Sequence, residues 1–388
     1  MDAGNFWELL SGFEDLSFQM VGMIVIGLLL VYLGIARRME PLLLIPIGVG
    51  IIIANGPFQV AVASPAEGEM GGFLWYFQEY LLLTGIIPLL IFFGLGALTD
   101  FEPLLARPRT FLLGAAAQFG VFAALLGTIA LGLLETFDFN LKDAASVAII
   151  GGAEGPTTIF VAAKMQQIGA HEATFAAVVV ACYSYMAMVP IIQPPIIKLL
   201  TTKKERMIKM PYAEHPVSRR TKIIFPIITT LVCALFIYEA LPLIGMFMFG
   251  NLLRECGVAE RLLKAAQNEL MNIVTILLGI TVGSTMMASQ FFTLRTVAIF
   301  VLGIFAFASA TAAGLLLGKL MCFLSKGKVN PMIGAAGVSA VPMAARVVQN
   351  MATKEDQSNF LLMHAMGPNV AGAIGAAIAG GVLLAVVQ

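Results

Sequence analysis

The stretch IIGGAEGPTTIF, Ile149 to Phe160, decides how this chain is read. One carboxylate, Glu154, stands between Gly151-Gly152 and Gly155-Pro156, and apolar sequence surrounds the group. An ionised acid at bilayer depth costs about 2.5–3.5 kcal/mol on insertion scales, so it reads as a functional residue. The glycines let the backbone turn and expose carbonyls. The proline removes a donor and frees the carbonyl one turn back. A carboxylate beside free carbonyls is an all-oxygen site for a hard cation, or equally a proton relay. The plainer alternative is a Glu near the outer interface, or one paired with Lys164.

The rest of the chain sets the context. It has 388 residues, 59% of them hydrophobic and only 12% charged, where soluble domains carry about 25% charged. Mean hydropathy is +0.91. This is the composition of an all-α polytopic membrane protein. Cys182, Cys233, Cys256 and Cys322 lie in or beside apolar segments without metal-ligand spacing, and read as small core residues. The N-terminus carries Asp2, Glu8, Glu14 and Asp15 and no Lys or Arg before Arg37, so no cleaved signal peptide is expected. Neither GxGxxG after a strand nor GxxxxGKS is present, and the chain itself is not expected to bind ATP or NAD.

Twelve apolar segments follow one another, roughly 18–36, 41–56, 81–99, 110–134, 145–164, 174–198, 222–238, 240–255, 271–288, 295–320, 331–349 and 360–386. The fifth and eleventh are interrupted, by GGAEGP and by NPMIGAAGVSAVP (Asn330 to Pro342). Broken backbone at membrane depth is tolerated only where protein or a watery cavity satisfies its polar groups. The basic 201–222 loop, with Lys203, Lys204, Arg206, Lys209, Arg219, Arg220 and Lys222, is cytoplasmic by the positive-inside rule. Arg37-Arg38 and Arg107/Arg109 mark further inside loops. The acidic N-terminus and the 57–80 loop, with Glu67, Glu69 and Glu79, read as outside. An outside start and an inside 201–222 loop require an odd number of crossings. Six segments precede that loop, so 145–164 is expected to enter from outside and turn back.

The second half repeats the pattern in the opposite sense. TTIFVAAKM (157–165) echoes SAVPMAARV (339–347), and PRTFLLGAAAQFG (108–120) lies opposite LRTVAIFVLGIFA (294–306), at offsets of roughly 182–186 residues. Two inverted-topology repeats with matching broken or re-entrant helices place a substrate site near the midplane. The expected boundaries are 1–200 for the first repeat, with an extension over 1–17, 201–221 for a basic cytoplasmic linker, and 222–388 for the second repeat.

The second half supplies partners for Glu154. Asn330, Gly334, Ser339 and Arg346 punctuate the eleventh segment. Arg346 is able to hold a carboxylate bidentately, or to snorkel to the cytoplasmic surface. In HAMGPNVAG (364–372), Asn369 offers a carbonyl ligand, and by the offset it faces YSYM (183–186). Tyr185 of that motif is a candidate ion ligand or proton relay, or a packing aromatic. His364 reads as a satisfied core histidine.

GGAEGPT, YSYMAMVPIIQPPI (183–196), NPMIGAAGVSAVPMAAR (330–346) and LLMHAMGPNVAG (361–372) together resemble the beta subunit of the sodium-pumping, biotin-dependent decarboxylases. These act on oxaloacetate, methylmalonyl-CoA, glutaconyl-CoA or malonate. The resemblance runs from about Glu40 to the C-terminus. It implies a bacterial cell-membrane subunit that decarboxylates carboxybiotin, moves Na+ outward and consumes a proton. It implies carboxyltransferase and biotin-carrier partners, a small single-span gamma/delta-type membrane subunit, membrane lipid around the chain, a homo-oligomer within the complex, and no nucleic acid. Biotin arrives on the carrier, since Lys164 in AAKMQ only brushes the Met-Lys-Met biotinylation pattern. Carried over residue by residue, the resemblance marks Glu154, Tyr185, Asn330, Gly334, Ser339, Arg346 and Asn369 as functional; by their chemistry, Na+ falls to Glu154, Asn369, Ser339 and Tyr185. Catalysis falls to Arg346, Asn330 and Tyr185, and carboxybiotin binding to Arg346, Asn330 and Gly334. The family motif has Asp where this chain has Glu154, which adds one methylene to the acid. A Na+-coupled transporter of small organic anions without enzyme activity fits the repeats and the midplane acid as well, and a passive channel is a third reading.

Overall fold

The computed structural model describes residues 12–38, 40–66, 70–134, 136–211 and 217–387. Asp2, Glu8, Glu67 and Glu69, which entered the charge reading, lie outside those residues. Among the described residues every regular element is helical. The first half runs through α1 (Phe18–Ala36), α2 (Pro41–Ala54), α3 (Ile86–Leu98), α4 (Pro108–Gly132), α5 (Leu141–Ala148), α6 (Gly155–Gln167) and α7 (Glu172–Leu200). The second half runs through α8 (Arg219–Phe236), α9 (Leu241–Cys256), α10 (Met271–Ser284), α11 (Leu294–Leu324), α12 (Met343–Glu355) and α13 (Leu362–Val386). Six described helices are long and apolar enough to cross a bilayer, and the bent pair Phe73–Leu82 with α3 makes a seventh.

The two interrupted segments break where the sequence punctuates them. The first is α5, a 3₁₀ turn Ile149–Gly152, then α6. The second is a 3₁₀ turn Pro331–Gly337, five non-helical or turn residues, then α12. Local chemistry fixes these ends. Asn140 and Asp143 form a capping box on α5. Pro156 sits in the first turn of α6, where a missing N–H costs nothing. It therefore starts a helix and frees no upstream carbonyl, contrary to the reading from sequence. The left-handed residue at the break is Ala153 (φ 53°), and none of the flanking glycines.

Packing follows small residues. Lipid tails are as apolar as the helices, so association rests on close backbone approach. A Cβ at Gly96 of α3 would lie 1.9 Å from the Phe247 carbonyl oxygen of α9, and one at Gly250 of α9 would lie 1.9 Å from that of Phe93. Contacts between the parts before and after the linker come in reciprocal pairs. Helix α2 packs on α10 and α3 on α9. Helix α7 lies along α11, and α13 along the start of α4. Helix α6 touches α7 and α13, and α12 touches α13 and α7. The two broken segments are thus wrapped by the same pair of long helices.

Candidate functional site

Glu154 is the N-cap of α6 and is 5% exposed. One carboxylate oxygen, Oε2, accepts from the Thr157 backbone N–H at 2.7 Å and the Thr157 hydroxyl at 2.5 Å. The helix N-terminus adds its positive end to those bonds, which favours a negative charge there. The other oxygen, Oε1, takes no hydrogen bond among the described residues. Lys164 is not its partner: that ammonium reaches Gln167 from the far end of α6.

The acid opens onto a cavity of about 350 Å³. Its polar lining is Glu40, Thr99, Tyr183, Thr275, Ser339 and Arg346, beside Glu154. Three buried oxygens, Tyr183 OH, Ser339 Oγ and Asn369 Oδ1, lack a hydrogen-bond partner among the described residues. Asn369 is oriented by donating to the carbonyls of Ala336 (3.0 Å) and Val338 (2.9 Å), which hold the strand of backbone leading into Ser339. That leaves its carbonyl oxygen free. A buried polar atom without a partner costs about 1–3 kcal/mol, so three together call for a ligand that the oxygens share. Hard monovalent cations take neutral and singly charged oxygen sets of this kind. Among the described residues no group of three His, Cys, Asp or Glu side chains stands ready for a transition metal.

Arg346 lies on the same cavity, exposed and without an ion pair among the described residues. The structure therefore brings Glu154, Ser339 and Arg346 onto one cavity, with Asn369 bonded to the backbone that leads into Ser339. It separates three others from it. Tyr185 donates to the Phe300 carbonyl and packs its ring where a Cβ at Gly303 would strike it at 2.3 Å. Its neighbour Tyr183 takes the cavity position, because residues two apart on a helix point to different sides. Asn330 spends its amide on the linker: Nδ2 donates to Arg206 O (3.0 Å) and Ile208 O (2.8 Å), and Oδ1 caps Met332 N. Gly334 meets Gly314 of α11 backbone to backbone, with a Cβ only 2.0 Å from that carbonyl oxygen. Both are structural positions in this geometry, away from the cavity lining.

Beyond the residues singled out from sequence, the structure places Tyr183 and Glu40 on the cavity and Thr157 against the Glu154 carboxylate. The offset of 186 that pairs Pro156 with Pro342 also pairs Tyr183 with Asn369, which was a usable signal. Gly155 gave another: a Cβ there would sit 2.6–2.7 Å from the Tyr183 ring and hydroxyl, so glycine admits the tyrosine to the acid. The four cysteines are free and three are buried, as their scatter indicated. His364 is held by the Met210 carbonyl at 3.0 Å.

A polytopic helical bundle whose two broken segments line one cavity with a buried acid and unpartnered oxygens is a membrane protein of the ion-translocating class. A family model described as "Na+-transporting oxaloacetate decarboxylase beta subunit" matches residues 19–387. The methylmalonyl-CoA decarboxylase subunit beta of Propionigenium modestum is 50% identical over 393 residues, covering 96% of this chain and 96% of its own. The oxaloacetate decarboxylase beta chain of Klebsiella pneumoniae is 48% identical over 411 residues, covering 93% and 94%. The glutaconyl-CoA decarboxylase subunit beta of Acidaminococcus fermentans is 50% identical over 381 residues, covering 97% and 96%. The chain belongs to the family of decarboxylase beta subunits. It is a multi-pass protein of the bacterial inner membrane and one subunit of a larger decarboxylase.

Proposed function

We propose that this chain decarboxylates carboxybiotin presented by a carrier subunit and couples the reaction to outward movement of Na+. The observation that carries this reading is the shared cavity: its lining includes an acid with unpartnered oxygens beside it, and an arginine without an acid partner among the described residues. Na+ is the cargo, held by Glu154 Oε1, Ser339 Oγ, Asn369 Oδ1 and Tyr183 OH. Tyr183 takes the role that the motif gave to Tyr185. Arg346 receives the carboxylate of carboxybiotin. In the reaction the N–COO⁻ bond breaks, CO2 leaves, and the ureido nitrogen takes up one proton. The substrate's negative charge is lost from the cavity at that moment, so the balance that held Na+ inward changes.

Two inverted repeats, 1–200 and 222–388 around the linker, supply the moving parts in this proposal. The reciprocal pairing of α2 with α10 and of α3 with α9 supports it, as does the π-helical turn at Gln78–Leu82 and again at Ala266–Leu270, each ahead of the third long segment of its half. The parent substrate is best read as an acyl-CoA. The match to the Klebsiella chain extends over 411 positions, more than the 388 residues here, so that oxaloacetate subunit carries insertions this chain lacks. The acyl-CoA relatives align over 381 and 393.

The complex purified from membranes should contain a biotinylated partner on an avidin blot and, in vesicles, should take up Na+ only when its carboxylated carrier is supplied. Uptake of Na+ driven by an organic anion gradient, with no biotinylated partner, would favour the symporter reading instead. Within the site, Tyr183→Phe should raise the Na+ concentration for half-maximal decarboxylation about tenfold, the loss of about 1.4 kcal/mol that one oxygen ligand represents. Tyr185→Phe should leave that concentration within about twofold and lower thermal stability, since it removes only a hydrogen bond to α11. The reverse order of effects would return the ligand role to Tyr185.

A further inference from the structure

A second cavity, of about 310 Å³, lies at the cytoplasmic end of the bundle by the charge topology. Its rim carries Arg107 and Arg109, and its floor is apolar, made by Met210, Met321, Val329 and Ile333. Among the described residues neither arginine has an acid partner. Among the described residues the Arg107 guanidinium reaches the Pro211 carbonyl, and partial burial pushes its pKa down from the ordinary arginine value. A guanidinium taken partly out of water without a counter-charge among the described residues is an open electrostatic demand.

The other half of the chain meets that demand internally. At the offset of 186, Arg109 corresponds to Arg295, Leu324 to Asp138 and Val329 to Asp143. Arg295 donates to the Asp138 carbonyl at 2.6 Å, lies 3.6 Å from its carboxylate, and covers the Phe139 ring at 5.3 Å. Asp143 is fully buried and accepts from the His171 N–H at 2.9 Å. Acids fill the outer cluster, whereas leucine and valine stand at those places on the inner side. This comparison rests on the repeats proposed above; the cavity and its two arginines do not.

We infer that the Arg107/Arg109 cavity binds an acidic phospholipid of the cytoplasmic leaflet, with the phosphate on the two guanidiniums and an acyl chain along its apolar floor. Guanidinium groups match phosphate bidentately. Basic pockets between membrane helices on the cytoplasmic side take acidic lipid headgroups. A path for the tail is present, because Leu320, Phe323 and Leu324, at the end of α11 next to Met321, are all exposed. A free phosphate has no use for that apolar floor, which is what favours a lipid.

The test uses the detergent-solubilised complex, titrated with phosphatidylglycerol, with phosphatidylcholine or with inorganic phosphate. Native mass spectrometry and the thermal midpoint are the readouts, so neither decarboxylation nor Na+ enters the result. Phosphatidylglycerol should be retained at one molecule per chain and raise the midpoint, and phosphatidylcholine should do neither. The Arg107→Gln/Arg109→Gln double variant should bind phosphatidylglycerol at least tenfold more weakly. Val329→Asp keeps both arginines, sets an acid in the cavity's own lining as the other half does at Asp143, and should weaken binding by a similar factor. Equal retention of phosphatidylcholine, an equal shift from inorganic phosphate alone, or unchanged binding in both variants would each overturn the proposal.

Discussion

Replacing Glu154 by Gln is expected to abolish sodium-dependent decarboxylation, with Na+ affinity lowered by about three decades. The side chain keeps its length and still accepts from Thr157, so α6 keeps its cap. What disappears is the charge. A unit charge pair at about 4 Å and an effective permittivity of about 20 is worth about 4 kcal/mol, and each 1.4 kcal/mol is a factor of ten. The neutral oxygens of Ser339, Asn369 and Tyr183 do not replace it. Glu154→Asp should behave differently. It retains the charge, and Asp is a good N-cap residue, so Thr157 keeps an acceptor. The carboxylate withdraws by about one bond length from the cavity, and half-saturation should rise by no more than about tenfold. The assay is the initial rate of carboxybiotin decarboxylation against Na+ concentration, with Na+ uptake into vesicles measured alongside. Full sodium dependence in the Gln variant would sink the assignment of the cation to this acid.

Arg346→Gln is the second large effect. It should lower kcat/KM for the carboxylated carrier about 100-fold, while equilibrium Na+ binding stays within about threefold. The reasoning is positional. Arg346 is exposed on the cavity and leaves no buried acid stranded when removed, so folding should hardly change. Its loss removes a charge-assisted, bidentate grip on a carboxylate, worth about 3 kcal/mol. Arg346→Lys restores the charge without the fork and should recover only part of the rate. A Gln variant that weakens Na+ binding and decarboxylation equally would place Arg346 in the cation site and leave the carboxylate without a receptor.

Placement divides the remaining candidates by physical cause. Asn330 and Gly334 stand in a motif that resembles functional sequence, yet their contacts are with backbone. Asn330 ties the second broken segment to the linker, where Asn359 reaches the same two carbonyls at 3.2 and 3.3 Å. Gly334 allows the 3₁₀ turn to touch α11. A sequence motif records that a residue type is needed, and packing needs asparagine and glycine as often as chemistry does.

The sequence by itself determined the class of structure. Hydropathy, low charge and the basic 201–222 loop specify a helical membrane chain, because water-free surroundings admit little else. It also determined that Glu154 matters, since an acid in apolar sequence carries its own cost. Where the chain breaks was legible from GGAEGP and NPMIGAAGVSAVP. Which tyrosine faces the acid was not, because Tyr183 and Tyr185 share a helix and only the neighbours of α7 fix its rotation. Gly155 opens the way for one ring, and Gly303 receives the other. Whether an amide serves a ligand or a linker was equally beyond reach, as both uses ask for the same side chain. Those choices belong to contacts between different helices, from 28 positions apart for Gly155 and Tyr183 to more than a hundred for Tyr185 and Gly303, and only the tertiary structure makes them.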